Sequence, residues 1–357
     1  MQTFKLNQTK FPCGVVETNK AVFNPSNEAN LEKVFIRKKG FSCNFRDKSL
    51  ALYRLPILEK FAIQNKAKFY TLGSEFSGEI VAVGDKVRGF KIGDAIMSNG
   101  SYPSEHPSGN AGLPTNHGSK EYDAIHYSKV IKIPENMSWA VASCFQIGAQ
   151  TSYSMIRRLG VKAGDKVLIS GATSNTSLFA INALKKMDVE ICVLTSRATF
   201  KQQLLALGVK EVFVVDLKES LLQNESMRQY LKKKGGFDVA IDPFFDLYMN
   251  RMLEVLKIGG RYSTCGLFDQ HPLLKANQKN TGERTDAIVQ AFTKNITIVG
   301  NCLGTTEDLR NALKDYKNGV LNVVLDQVYT RNQVQAFFHR TFNAKERFGK
   351  VVYLYDK

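Results

Sequence analysis

The chain has 357 residues, 43% hydrophobic and 23% charged, the balance of an ordinary globular protein of about two domains. That balance excludes a chain dominated by disorder, and no run of about 18 apolar residues suits a membrane-spanning helix. Lys and Arg number 49 against 33 Asp and Glu, a net charge of +16, which favours anionic partners such as phosphorylated cofactors.

The first 20 residues contain no apolar signal core, so a cytoplasmic protein is expected. Residues up to about 147 read as short strands and turns. Glu79-Ile80-Val81-Ala82-Val83-Gly84-Asp85 clusters β-branched residues and stops at Gly-Asp. Lys91-Ile92-Gly93-Asp94 is a further turn, and residues 98–118 are loop-like, rich in Gly, Pro, Asn and Ser. The basic clusters Arg37-Lys38-Lys39 and Lys232-Lys233-Lys234 are short and lack aromatic company. They read as solvated faces, with no nucleic acid and no membrane expected as partner.

From about 148 to 300, strands and helices alternate. Lys166-Val167-Leu168-Ile169-Ser170 reads as a buried strand, residues 178–187 as a helix, and Val189 to Leu194 as a second strand. Residues 199–207 read as a helix that Gly208 stops. Four more strands follow at 212–215, 239–242, 261–264 and 296–299. Six short strands with helices between them describe a doubly wound parallel sheet.

The loop after the first of these strands is Gly171-Ala172-Thr173-Ser174-Asn175-Thr176-Ser177. A Gly-rich pyrophosphate loop belongs there, because the following helix offers free N–H groups and a positive dipole end. Of the glycines in G-x-G-x-x-G only Gly171 remains; Thr173 and Thr176 hold the other two positions. An ordinary βα turn capped by Ser and Asn is the competing reading. The second strand ends in Thr195-Ser196-Arg197, with Lys201 one turn on. An NAD site would place Asp or Glu there for the ribose hydroxyl. Hydroxyls with Arg and Lys suit a 2′-phosphate instead, so NADPH is the expected cofactor. The candidate binding residues are Gly171, Thr173, Ser174, Asn175, Thr176, Thr195, Ser196, Arg197 and Lys201.

The ordered motifs resemble the medium-chain dehydrogenase/reductase superfamily, in its zinc-free quinone oxidoreductase-like branch. Cys43-Asn44-Phe45-Arg46-Asp47, Gly73-Ser74-Glu75-Phe76-Ser77-Gly78, Phe90-Lys91-Ile92-Gly93-Asp94, Gly164-Asp165-Lys166-Val167 and Phe348-Gly349-Lys350-Val351-Val352 carry the resemblance. It implies an α/β architecture: a Rossmann domain, residues 148–299, inserted into a GroES-like β-rich catalytic domain, residues 1–147 plus 300–357. It also implies an active site in the cleft and a homodimer. Cys265 and Gly266, after the fifth strand, would line the nicotinamide pocket, and Lys350 resembles the lysine that reaches the cofactor in relatives.

Zinc members of that superfamily hold their catalytic metal by Cys, His and Cys or Asp. The matching positions here are Asn44, Ser74 and Ile147. No Cys lies between Cys43 and Cys144, so the four-cysteine structural lobe is missing. The six cysteines form no C-x-x-C and the five histidines no H-x-x-x-H. No metal is expected, and His106 and His117 are given no role.

Without a Lewis acid, a single well-placed donor contributes about 2.7–4 kcal/mol, enough for a substrate that delocalises its own charge. The expected activity is NADPH-dependent hydride transfer to an activated C=C bond or a quinone, on a small molecule or a peptide. Asn44 is the candidate donor and Tyr53 a candidate proton donor; Ser74 and Tyr122 are weaker candidates, and Arg46-Asp47 an ion pair supporting the fold. The alternatives are a tailoring reductase of dehydroamino acids in a lantibiotic-type peptide, and a non-catalytic binding protein on the same fold.

Overall fold

The computed structural model describes residues 2–6, 9–18, 22–52, 69–216, 219–266 and 281–355. Tyr53 lies outside the described residues. The chain divides into two compact units, residues 1–147 with 325–357, and residues 148–324.

The first unit opens with an antiparallel hairpin, β1 (Gln2–Leu6) and β2 (Thr9–Cys13). β3 (Lys33–Ser42), β4 (Glu75–Val83), β5 (Ala95–Ser98), β6 (Tyr122–His126) and β7 (Val130–Lys132) follow. A helical stretch covers residues 45–52, and the short helix α1 (Trp139–Ala142) is capped by Ser138, whose side chain accepts the Val141 amide.

The chain enters the second unit in α2 (Gln146–Arg158). There β8 (Lys166–Ile169), α3 (Asn175–Leu184), β9 (Glu190–Thr195), α4 (Lys201–Ala206) and β10 (Glu211–Val214) alternate. The half closes with α5 (Glu225–Lys234), β11 (Phe237–Asp242), α6 (Phe245–Val255), β12 (Leu256–Thr264), α7 (Thr281–Thr293), β13 (Thr297–Gly300) and α8 (Thr306–Lys317). The chain then returns to the first unit with β14 (Leu325–Thr330), α9 (Val334–Phe342) and β15 (Lys350–Leu354).

The second unit is the expected doubly wound sheet. Its six strands run parallel in the order β10-β9-β8-β11-β12-β13. The order reverses direction at β8, and ligands of such sheets bind outside the carboxyl ends of the strands at that switch point. The central strands are apolar on both faces, as a sheet covered by helices on both sides requires: Val167, Leu168, Ile169, Val193, Leu194, Val239, Ala240 and Ile241 are fully buried.

In the first unit the order is β14-β15-β3-β4-β5-β7, with β6 also on β3. Val34, Ile36, Phe76, Ile80, Ile96 and Val351 close its core.

The return to the first unit falls at 324/325 rather than at the expected 300. Residues 300–324 belong with the second unit for a visible reason. α8 opens with a capping box in which Thr305 and Asp308 satisfy each other's backbone amides. Asp308 takes both Nε and Nη2 of Arg157 at 2.8 Å. Gln150 donates to the carbonyl oxygens of Gly304 and Thr305 at 3.2 and 2.8 Å, and Tyr153 donates to Asp315 at 2.5 Å. The sequence texture changes after Gly300, but these partners bind the segment back onto α2.

Candidate functional site

In the first unit the sequence positions matched to zinc ligands do converge. Asn44 lies just before the helical stretch, Ser74 and Glu75 at the start of β4, Ile147 in the first turn of α2, and Lys350 at the head of β15. The centre of the cluster is Glu75, fully buried. Its Oε1 accepts from Ser42 Oγ at 2.9 Å, Asn44 Nδ2 at 3.0 Å and Lys350 Nζ at 2.6 Å. Its Oε2 accepts the Ile147 amide at 2.9 Å. A buried carboxylate requires such a set of donors, and the Lys350 ammonium supplies the compensating charge.

Asn44 is committed on both sides. Its amide group donates to Ser74 Oγ and to Glu75, both at 3.0 Å, and its Oδ1 accepts from Lys350 at 2.6 Å. An amide NH₂ has two hydrogens, so Asn44 donates to another group only by giving up one of these bonds. Lys350 has three N–H groups, two of them engaged by Asn44 and Glu75. It is therefore the cation of this cluster with a donor left over, among the described residues.

Asp47 lies beneath. Its Oδ2 accepts the Asn44 backbone N–H at 2.6 Å and Ser74 Oγ at 2.5 Å, while its buried Oδ1 has no partner among the described residues. Burial pushes its carboxyl up, against the opposing hydrogen bonds from Asn44 and Ser74. The expected Arg46–Asp47 ion pair is replaced by two separate contacts: Arg46 donates to Asn116 Oδ1 at 2.8 Å, and Asp47 turns inward. Burial also pushes the neighbouring Cys43 thiol far up, so it is not a thiolate.

The donors at the three matched positions are thus an amide, a hydroxyl and an aliphatic side chain, with an ammonium 2.6 Å from Asn44. That set does not fit zinc, which is held by thiolate, imidazole and carboxylate. Tyr122 stands apart on β6, its ring tilted against Phe35 at 5.9 Å. His117 is engaged through Nδ1 with Thr71 Oγ1 at 2.8 Å.

In the second unit the nucleotide candidates gather at the carboxyl ends of β8, β9 and β12. Gly171 has φ +53°, and a Cβ there would stand 2.4 Å from the Phe244 ring, so glycine is required both by backbone angle and by packing. Ser174 caps α3 by accepting the Ser177 amide at 3.2 Å. The Ala172 and Ser174 amides are used by Leu194 O and Gly171 O at 3.0 and 2.8 Å. The first-turn amides of Asn175 and Thr176 have no partner among the described residues, as the start of a helix leaves them. The buried Nδ2 of Asn175 is likewise unpartnered. This loop fits a phosphate: free donors and a dipole end converge on it, although Thr173 and Thr176 carry side chains where glycines would allow a closer approach.

At the end of β9, Thr195 is buried and its Oγ1 takes the Arg197 amide at 3.3 Å. Ser196, Arg197 and Lys201 are exposed. Cys265 and Gly266 follow β12, with Thr264 Oγ1 donating to Gly266 O at 3.3 Å; burial pushes the Cys265 thiol up to about 12. Lys350 does not belong to this group by unit: it heads β15 in the first.

One residue that sequence reading passed over supports the loop. Asp242 ends β11 fully buried. It accepts from Ser170 Oγ at 2.5 Å, Tyr262 Oη at 2.6 Å and the Phe244 amide at 2.9 Å. It thereby ties the residue before Gly171 to the ring that packs on Gly171. Burial pushes its carboxyl up, against those three donors.

Comparison with known proteins agrees with this construction. Residues 31–135 match the family described as alcohol dehydrogenase GroES-like domain, and residues 176–318 the family described as zinc-binding dehydrogenase. Human quinone oxidoreductase is 24% identical over 287 residues, 80% of each chain. An NAD-dependent alcohol dehydrogenase superposes with TM-score 0.73 at 22% identity, covering 94% of this chain and 95% of that one. A 2-octenoyl-CoA carboxylase reductase, solved with NADP and 2-octenoyl-CoA, superposes with TM-score 0.72 at 20% identity, over 91% and 79%. With a GroES-like domain, a Rossmann sheet and these relatives, the chain belongs to the medium-chain dehydrogenase/reductase superfamily of oxidoreductases.

Proposed function

We propose that the protein is an NADPH-dependent reductase that acts on an activated C=C bond or a quinone without zinc. One observation carries the reading: the buried cluster holds a Lys350–Glu75 pair and an internally bonded Asn44 where a zinc enzyme needs thiolate and imidazole. Two relatives point to the same chemistry, one named for quinone reduction and one solved with NADP and an enoyl thioester.

The bound dinucleotide would supply the hydride. On this reading the chain's own groups bind and orient. The Asn175 and Thr176 amides at the start of α3 receive the pyrophosphate. Thr195, Ser196, Arg197 and Lys201 receive the 2′-phosphate, with no carboxylate among them to repel it. Cys265 and Gly266 line the nicotinamide site through their backbone. In the first unit, the third N–H of Lys350 is the donor for the substrate oxygen on which charge develops, and Asn44 and Glu75 hold that ammonium in place. A fixed donor of this kind contributes about 2.7–4 kcal/mol, sufficient where the substrate spreads its own charge over an enolate or a quinol. Tyr53 stays the candidate for protonating the carbon.

The test is a fluorescence titration with NADPH and NADH, followed by a screen of enones, quinones and dehydroamino-acid peptides. Tight NADPH binding and turnover of an enone or quinone are expected. Arg197→Ala should weaken NADPH about 10- to 100-fold, as loss of a hydrogen bond to a charged group does, and leave NADH unchanged. Binding of neither cofactor would overturn the proposal. Activity confined to peptides, with a gain of two hydrogens per site, would move the substrate to a dehydroamino acid.

A further inference from the structure

We propose that Glu32, His106 and His126 form a binding site for a divalent transition-metal ion of the zinc class, independent of the polar cluster around Glu75. One ligand atom from each of the three lies within 4.8 Å of the others. Their arrangement is centred. The Ser108 hydroxyl stands 2.8 Å from His106 Nδ1, 3.0 Å from His126 Nε2 and 2.9 Å from Glu32 Oε2. Three ligands, two imidazoles and a carboxylate, thus point at one spot now filled by a small hydroxyl. An ion there takes the two imidazoles and the carboxylate, with Ser108 Oγ or a water completing a tetrahedron.

Two of the three ligands are positioned by the sheet. Glu32 immediately precedes β3 and His126 ends β6, and Lys33 pairs with His126 in the antiparallel register. The Tyr127 amide donates to Glu32 O at 3.0 Å. His106 comes from the loop between β5 and β6, where its carbonyl oxygen accepts the Gly109 amide at 3.0 Å.

The second nitrogen of each ring also has a partner, as metal-bound histidines require. His106 Nε2 meets Tyr127 Oη at 2.9 Å, and His126 Nδ1 meets Ser128 Oγ at 2.8 Å. Without metal, each Nδ1 accepts a backbone amide at 3.2 Å, from Ser108 for His106 and from Ser128 for His126. Neutral rings then carry their proton on Nε2. Binding shifts the His126 proton from Nε2 to Nδ1, where Ser128 Oγ accepts it, and His106 Nδ1 exchanges the Ser108 amide for the ion. No proton is released by either neutral ring.

The test uses the untagged full-length chain, stripped with chelator and titrated with Co²⁺ in the spectrophotometer and with Zn²⁺ in the calorimeter. One ion per chain is expected, with tetrahedral Co²⁺ d–d bands, no thiolate charge-transfer band, and displacement of Co²⁺ by Zn²⁺. Glu32→Gln and His126→Ala should each weaken Zn²⁺ at least about tenfold, and Tyr127→Phe about tenfold through the ring it orients. Zn²⁺ should also raise the melting temperature of the parent chain and not that of Glu32→Gln, a near-isosteric change at the surface that leaves folding intact. The proposal is overturned by no binding up to millimolar ion, by affinity unchanged in Glu32→Gln, or by a thiolate band placing the ion on a cysteine.

Discussion

Replacing Lys350 with Met tests the buried cluster directly. The Lys350 and Glu75 side chains are 4% and 0% exposed and meet at 2.6 Å. Removing the ammonium leaves Glu75 with three neutral donors, Ser42, Asn44 and the Ile147 amide, and an uncompensated buried charge. Breaking one side of such a pair costs about 3–5 kcal/mol. Glu75→Gln strands the ammonium instead, at a similar cost. The double variant removes both charges and keeps the volume, so it should be no less stable than the worse single change. That implies a coupling energy of about 3 kcal/mol in a double-mutant cycle. The assay is urea unfolding followed by tryptophan fluorescence. The chain has a single Trp, Trp139, whose carbonyl oxygen accepts from Ser77 and Ser143 in the same unit as the cluster, so the signal reports that unit. Two single variants whose losses simply add, or a Lys350→Met variant as stable as the parent, would refute the account of Glu75 and Lys350 as one buried pair.

Gly171→Ala places a methyl 2.4 Å from the Phe244 ring at φ +53°; the backbone alone costs about 1–2 kcal/mol, and thermal unfolding should show that loss together with abolished NADPH binding. Asp242 carries a carboxyl raised by burial, so its contribution is greatest below the ordinary carboxylate value of 3.8 and is lost as pH rises through the raised value. Asp242→Asn should flatten the stability–pH profile in that window, and a parallel profile would show that burial does not govern this group. Asp308 is the opposite case. Burial works against its ionised form, but the Arg157 and Thr305 bonds outweigh it and hold the carboxyl low. Its stabilisation is present above the ordinary value and lost as acid titrates through the lowered one. Asp308→Ala should remove its half of the α8 capping box, about 1 kcal/mol, along with that acid sensitivity, read by urea midpoints at pH 3 to 7.

The parts of the fold that follow local rules were legible. The six strands are short apolar runs bounded by turns, and the alternation of strand and helix makes them parallel. Gly171 and the Thr195-Ser196-Arg197 end of the second strand could be placed at strand ends because a strand-to-helix turn is itself a local motif. What escaped was built from partners far apart in the chain. Asn44 read as a free donor because nothing near it announces Lys350, 306 positions later. Glu75 left one faint mark, a charge heading a strand whose next residue is apolar, and Lys350 stood out only by the resemblance, with nothing to announce its bonds to Glu75 and Asn44. His106 and His126 lie 20 residues apart and Glu32 lies 74 before His106; no local spacing rule joins them, and strand register does. The 300–324 segment was misplaced for the same reason, since Asp308 answers to Arg157 and not to its neighbours.

The nature of the buried cation also limits the chemistry on the proposed reading. An ammonium is a point charge with three directed donors, and two of those on Lys350 are spent on Asn44 and Glu75. The carboxylate at 2.6 Å cancels much of the field that a divalent ion would project. Such a group can hydrogen-bond a developing oxyanion, but it cannot polarise a simple ketone as a Lewis acid does. Its reach is therefore confined to substrates whose negative charge is already shared over several atoms. Simple aliphatic ketones and primary alcohols should not turn over with either cofactor, and sustained oxidation of ethanol or 2-butanol by the purified chain would contradict the role given to Lys350.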